Sequence, residues 1–298
     1  MKPEIEQAYG TLELLIQGLS FYLPGHEDGG YIYPFVWDET TQGKFNIFNL
    51  FQSNNWLKIT DADPIIKSWK KLEYPRHFND FSLNNQQIKD WESKIESLWQ
   101  IITNNLDNLE CYNFAFCSSG IIIGQTKDTD WVAITPTIYV ETDIPQTRIA
   151  RSPLNNKTNP ESLSTNTSHL DSQLKTITSK LGSISLSGDF GGGYYYSYTH
   201  KIVYGIGATK ELALENTLQK SQILEISKFN RFYPNDYDNY HENDHQSDRI
   251  NQFLEKQLTK IILYRISYEI KEYIYIIGQT NSSDRIGLFL KSFFVYNP

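Results

Sequence analysis

Apolar residues at helical spacing open the chain and recur in its second half. Ala8, Leu12, Leu15 and Ile16 fall on one face of a 3.6-residue period, as do Leu170, Leu174, Ile177 and Leu181. Each helix is followed by two strand-like runs. They are Leu19–Leu23 and Tyr31–Trp37 in the first half, and Ser183–Ser187 and Tyr194–Tyr204 in the second, where Gly191–Gly193 signals a hairpin. Thr209 then caps a helix running through Leu212, Leu218 and Ile223. Asp61-Ala62-Asp63-Pro64 starts a comparable helix in the first half, after an insertion spanning Thr40–Ile59. A polar loop and a long helix follow, Gln87–Leu106 and Ser247–Ile266. Each half closes on a hairpin, Cys111–Gln125 with Trp131–Glu141 and Lys271–Gln279 with Ile286–Tyr296. The pattern α-β-β-α-α-β-β predicts an α+β domain with a small, mainly antiparallel sheet, present twice.

Local sequence supports the doubling. Ile123-Gly124-Gln125-Thr126 returns as Ile277-Gly278-Gln279-Thr280, Tyr74-Pro75 as Tyr233-Pro234, and Gly29-Gly30-Tyr31 as Gly192-Gly193-Tyr194. The landmarks keep their order, so the chain reads as a tandem duplication with copies at 1–142 and 169–298. Residues 143–168 between them are rich in Asn, Ser, Thr and Pro and read as a flexible linker. At 298 residues the chain has the length of two ordinary domains.

Charge modifies this picture. The net charge is −8, and it is concentrated: residues 1–142 hold 10 Lys+Arg against 19 Asp+Glu, whereas residues 169–298 hold 14 of each. An acidic first copy argues against phosphate-backbone binding and therefore against a direct nucleic-acid partner. No apolar signal core or membrane-length apolar run occurs, which predicts a soluble, intracellular (cytoplasmic) protein without a membrane partner. Cys111 and Cys117 form no CxxC or Cys/His pair and read as small buried hydrophobes in a reducing compartment.

The residues offer little chemistry. His241 and His245 have i, i+4 spacing but stand in a polar loop without the HExxH glutamate. Asp236, Asp238, Glu242, Asp244 and Asp248 lack the order and mid-loop glycine of an EF-hand, which leaves a Ca²⁺-binding regulator as an alternative rather than the reading. Gly205-Ile206-Gly207 suggests a phosphate-binding turn but has no third glycine. No nucleophile has a base beside it, and Glu27-Asp28 are adjacent rather than opposed. The expectation is a protein-binding module, not an enzyme, with no cofactor and no resident metal.

Phe35-Val36-Trp37, the Asp61/Asp63-led helix, the Tyr-Pro loop, the long helix and the Ile-Gly-Gln-Thr hairpin ending Val140-Glu141-Thr142 together resemble the bacterial nuclease A inhibitor-like proteins, best known from cyanobacteria. The resemblance covers Leu12–Thr142 and extends to the second copy. It implies small acidic α/β/α sandwiches whose partner is a basic, metal-dependent, sugar-nonspecific nuclease. It also implies three contact features. The first is an acidic turn after the first strand, near Glu27 and Asp28, or near Asp189 in the second copy. The second is a proline-led loop, kept in character as Asn235, Asp236 and Tyr237 but altered to Arg76, His77 and Phe78 in the first copy. The third is the C-terminal carboxylate, here that of Pro298. On this reading any inhibition lies in the second copy, since Asp236, Tyr237 and Pro298 suit a cationic, metal-bearing site better than Arg76 does.

Overall fold

A computed structural model describes residues 2–17, 31–72, 80–81, 83–117, 119–140, 149–154, 163–189, 195–233, 244–269, 271–280 and 284–293. In chain order the elements are α1 (Pro3–Ile16), β1 (Tyr31–Trp37), α2 (Glu39–Gln42), α3 (Ile47–Ser53), β2 (Leu57–Ile59) and α4 (Ala62–Lys71). Next come β3 (Asp80–Phe81), α5 (Asn85–Asn105), β4 (Leu106–Phe114), β5 (Gly120–Thr126), β6 (Trp131–Pro136) and β7 (Ile149–Pro153). The second half holds α6 (Thr165–Leu181), β8 (Ile184–Asp189), β9 (Tyr195–His200), β10 (Ile202–Gly207), α7 (Lys210–Lys220) and β11 (Leu224–Phe232). It ends with α8 (Asp244–Gln257), β12 (Thr259–Tyr268), β13 (Lys271–Gln279) and β14 (Arg285–Phe293). The class is α+β, with antiparallel strand pairing throughout the named sheets.

The chain forms two compact units, and each draws on both sequence halves. The first takes 1–45, 140–156 and 224–295; the second takes 46–139, 157–223 and the chain end. In the first unit the sheet order is β1-β14-β13-β12-β11-β7, so β1 of the first half lies against the last strand of the second half. Helix α1 has Pro3 in its first turn with Glu4 and Glu6 nearby, which suits the positive end of the helix dipole. It buries Ile5, Leu12 and Ile16. Leu12 and Ile16 join Ile250 and Leu254 of α8 and the inward residues Leu263, Ile274, Ile276, Leu288 and Leu290 in one apolar cluster. Lys2, the α1 N-cap, pairs with Asp284 at 2.8 Å, and Asp284 also accepts from the Glu39 amide at 3.1 Å.

In the second unit the sheet order is β10-β6-β5-β4-β2, beside a small sheet β3-β8-β9. Helix α5 begins with a capping box in which Asn84 and Gln87 satisfy each other's backbone amides. Its Trp91, Ile95, Leu98 and Ile102 pack with Leu170, Leu174, Ile177 and Leu181 of α6 over Ile122, Val132 and Ile134. The start of α6 is held by the β5–β6 turn, where Asp128 accepts from the Asn166 amide at 2.8 Å and Asp130 from the Ser164 hydroxyl at 3.1 Å.

The shared Ile-Gly-Gln-Thr sequence has the same physical reason in both units. A Cβ on Gly124 would come within 2.9 Å of Leu106 Cβ, and one on Gly278 within 2.6 Å of Leu258 Cβ, so glycine lets each strand pass beneath the leucine that ends a long helix. Just beyond those leucines both ladders shift register, between Asp107 and Glu110 and between Thr259 and Ile262. Asn108 (φ 51°) and Lys260 (φ 50°) take the left-handed conformation within these two irregularities.

Several expectations need correcting. Residues 259–266, read as helix, form β12, because Ile261, Ile262, Leu263 and Tyr264 suit a two-sided strand and Lys260 breaks the helical path. Cys111–Gln125 is not one strand but parts of β4 and β5, and Tyr194–Tyr204 divides at Lys201 into β9 and β10. The stretch Thr40–Ile59 is not a mere insertion: it holds α2, α3 and β2. Helix α3 ends like α7, with amide bonds Asn54–Leu50 and Ser221–Thr217 followed by left-handed Asn55 and Gln222. The supposed linker 143–168 contains β7, whose Arg151 pairs with Glu225 at 2.6 Å and whose Ile149 is buried, and α6 already starts at Thr165. The expected domains 1–142 and 169–298 do not coincide with the compact units.

Candidate partner-binding surface

Most residues singled out from the sequence lie outside the described residues: Glu27, Asp28, Arg76, His77, Phe78, Asn235, Asp236, Tyr237 and Pro298, together with the turn glycines and His241. Asp189 is described as the last residue of β8, paired with Tyr195. Asp189 belongs to the second unit, whereas the strand and helix flanking 234–243, β11 and α8, belong to the first. Within the second unit β8 meets a first-half strand, β3, which begins two residues after Phe78 and pairs Asp80 with Ser187.

Register fixes which anchors meet in the first unit. Tyr31 lies opposite Lys291, Lys291 opposite Tyr273, Tyr273 opposite Ile266 and Ile266 opposite Leu224. The anchor of 18–30 at Tyr31 and that of 294–298 at Phe293 thus share one end of the sheet. Phe232 lies eight residues further along β11, about 26 Å toward the other end. Helix α8 packs at that far end, where Asn251 accepts from the Phe232 amide at 2.8 Å and Asp248 lies 3.8 Å from Arg231.

At the shared end the sheet carries an aromatic ladder that the sequence reading did not single out. Tyr31 and Tyr33 stack at 6.5 Å, Tyr33 and Phe289 at 6.0 Å, Phe289 and Tyr273 at 6.1 Å, and Tyr273 and Tyr268 at 5.7 Å. Tyr275 stacks on Phe289 at 4.6 Å and meets Phe35 edge-on at 5.1 Å. The ladder arises because β1 alternates: Ile32 and Val36 face the apolar cluster, so Tyr31, Tyr33 and Phe35 face the other way. Tyr268 and Tyr275 are buried, but Tyr31 and Tyr33 are 59% and 46% exposed, which is unusual for large rings on one strand face. The signal lies in the sequence as aromatics at the alternate positions Tyr31, Tyr33 and Phe35. The Lys271 ammonium stands 6.0 Å over the Tyr268 ring, at the limit of a cation–π contact.

In the second unit the corresponding sheet face is covered. A Cβ on Gly205 would come within 2.6 Å of the Thr217 amide nitrogen, and one on Gly207 within 2.6 Å of the Ala213 nitrogen. Glycines 205 and 207 therefore let α7 lie directly on β10 and serve packing rather than a phosphate. Thr217 seals the contact by donating to Ala133 O at 3.0 Å.

Electrostatics follow the compact units rather than the halves. The first unit holds 13 Lys+Arg and 19 Asp+Glu, and the second 14 and 16, so the acidity of residues 1–142 is divided between them. The strongly displaced groups are internal. His200 is fully buried and its pKa is pushed down to about 3, chiefly by burial, while a hydrogen bond to the Thr137 backbone opposes the shift. The Cys111 thiol is pushed up to about 11 by burial and then by Asp61. Cys111 is buried as expected, Cys117 is only partly covered, and the two form no disulfide with one another. Among the described residues no cluster of three or more His, Cys, Asp or Glu is placed to hold a metal, and no helix is long and apolar enough to cross a membrane.

The profile of the family described as Nuclease A inhibitor-like protein matches residues 203–293, from β10 through β14. The match covers part of the second half, and it runs from the second compact unit into the first at Leu224. No curated protein and no solved structure matches the chain. The matched segment supports a nuclease-inhibitor-like binding module.

Proposed function

We propose that the protein is a non-catalytic inhibitor whose partner is a metal-dependent, sugar-nonspecific nuclease, and that it arose by tandem duplication of one inhibitor-like domain. The observation that carries this reading is the family match over 203–293. The duplication is supported by the paired glycine–leucine contacts, the paired bulges at Asn108 and Lys260, and the like order of the two larger sheets. On this view the halves have exchanged their opening segments: α1 and β1 complete the sheet of β12–β14, while α6 and β10 complete that of β4–β6.

The exchange alters which candidate contacts act together. Phe293, the last described residue before 294–298, shares its sheet end with Tyr31, which follows the turn of Glu27 and Asp28. The inhibitory surface is then composite, with the acidic turn from the first half, and Asp236, Tyr237 and Pro298 from the second. Tyr31 and Tyr33, exposed on β1, add aromatic anchors of the kind that dominate interfaces. Carboxylates imitate the phosphate that such a nuclease holds with its metal and basic residues, while the rings supply desolvated area. Arg76, His77 and Phe78, which lack the acid of the Asp236 loop, and Asp189 contribute little to this interface. The test compares the nuclease affinity of Tyr33→Ala, Asp28→Ala and Asp189→Ala variants. Losses of about 2 kcal/mol for the first two, with little for the third, are the hot-spot pattern expected. Dependence on Asp189 alone would overturn the composite surface.

A further inference from the structure

The edge of the second unit's sheet has the form of a strand-accepting groove. Strand β10 is terminal in the order β10-β6-β5-β4-β2. Two cavities of about 420 and 500 Å³ lie along it and share Tyr204 and Lys220 as a common wall. One is also bordered by Ser179, Gly182 and Lys201, the other by Asp171, Lys175 and Asn216. The carbonyls of Tyr204 and Ile206 accept from Lys220 Nζ at 2.9 Å and Asn216 Nδ2 at 2.8 Å. Neither donor belongs to β6, so these carbonyls face away from the ladder. In an antiparallel strand the N–H of a residue points to the same side as its C=O, which makes the amides of Tyr204 and Ile206 outward-facing as well. Their spacing of about 6.7 Å is the one an added strand requires.

The groove's charge selects among occupants. Lys175, Lys201 and Lys220 border it, against one carboxylate, Asp171, and that carboxylate is already engaged by Lys175 at 2.5 Å and by the Tyr204 hydroxyl at 2.8 Å. Lys220 is held by a carbonyl and by the Tyr204 ring, 5.2 Å from its ammonium, and makes no salt bridge among the described residues. A local positive excess on an acidic protein is matched by an acidic, not a basic, segment.

We propose that β10 receives an extended acidic peptide segment of a protein partner as an added strand. The backbone of that segment replaces Lys220 and Asn216 at the carbonyls of Tyr204 and Ile206, and its carboxylates meet the released Lys220 together with Lys201. The β10 edge needs no contribution from the inhibitory surface. Edge lysines also serve as guards against strand pairing, so the experiment must tell docking from guarding.

The probe is an alternating Val-Glu decapeptide, with its Val-Lys counterpart as control, titrated into the full-length protein and followed by amide NMR. Binding of the Val-Glu peptide should shift the amides of Tyr204 and Ile206 and slow their exchange, whereas both exchange freely before it is added. Lys220→Glu should weaken that peptide at least about tenfold while leaving thermal stability unchanged. Equal affinity for the two peptides, no shift at β10, or self-association of Lys220→Ala without peptide affinity would each overturn the proposal.

Discussion

Leu12 offers a direct test of how the sequence is distributed between the units. It is fully buried in α1, and its cluster partners Leu263, Ile274, Leu288 and Leu290 come from the far end of the chain. Leu12→Ala removes a close-packed side chain and leaves a cavity, at a cost of about 3 kcal/mol. The loss falls on whichever cooperative unit contains the side chain. Hydrogen exchange read by mass spectrometry should therefore speed up in peptides from 259–293, by roughly a hundredfold for their most protected amides. Peptides from 106–136 should be unaffected. The mirror variant Leu174→Ala, from the fully buried α6 leucine that packs with Ile122 and Ile134, should reverse the pattern. If Leu12→Ala loosened 106–136 and spared 259–293, each half would fold upon itself, and the exchanged arrangement would be wrong.

Three further outcomes follow from particular contacts. Gly205→Val drives a side chain into the Thr217 amide and disturbs the buried Thr217–Ala133 bond, so urea unfolding should show the second unit destabilised by about 2–4 kcal/mol. Arg151→Ala removes a partly exposed pair with Glu225 and should cost under about 1 kcal/mol, while raising exchange in 149–153, since that pair ties β7 to the sheet. His200 has a folded pKa below its unfolded value, so the unfolded chain binds the proton first, and stability is lost as pH falls from about 6.5 toward 3. Between pH 6.5 and 5, above the carboxylate range, His200→Gln should flatten the slope of stability against pH measured by denaturant titration.

Much of the local structure was legible. The β1 boundaries, the buried faces of α1 and α6, and the Thr209 cap, which accepts from the Leu212 amide at 3.2 Å, agree with the pattern of the residues. Periodicity failed where an apolar run is buried on both sides: from Ser247 to Ile266 helical and strand spacing look alike, and the break depends on left-handed Lys260. The larger miss was of partner, not of element. Alternation predicts that β1 has one face to bury, but nothing in Tyr31–Trp37 says that β14 rather than β6 lies beside it, because both strands offer similar edges. The β7 strand was hidden for a related reason. Ile149 and Arg151 sit in a polar stretch and become a strand through tertiary contacts with Phe232, Phe229 and Glu225.

The proposed activity is tested most directly by titrating a sugar-nonspecific, metal-dependent nuclease with the full-length protein at fixed Mg²⁺ and DNA. The account predicts activity falling to zero at a sharp equivalence point, with one protein bound per nuclease and the loss diminished in Tyr33→Ala. Undiminished cleavage at a large molar excess, with no complex on gel filtration, would contradict it.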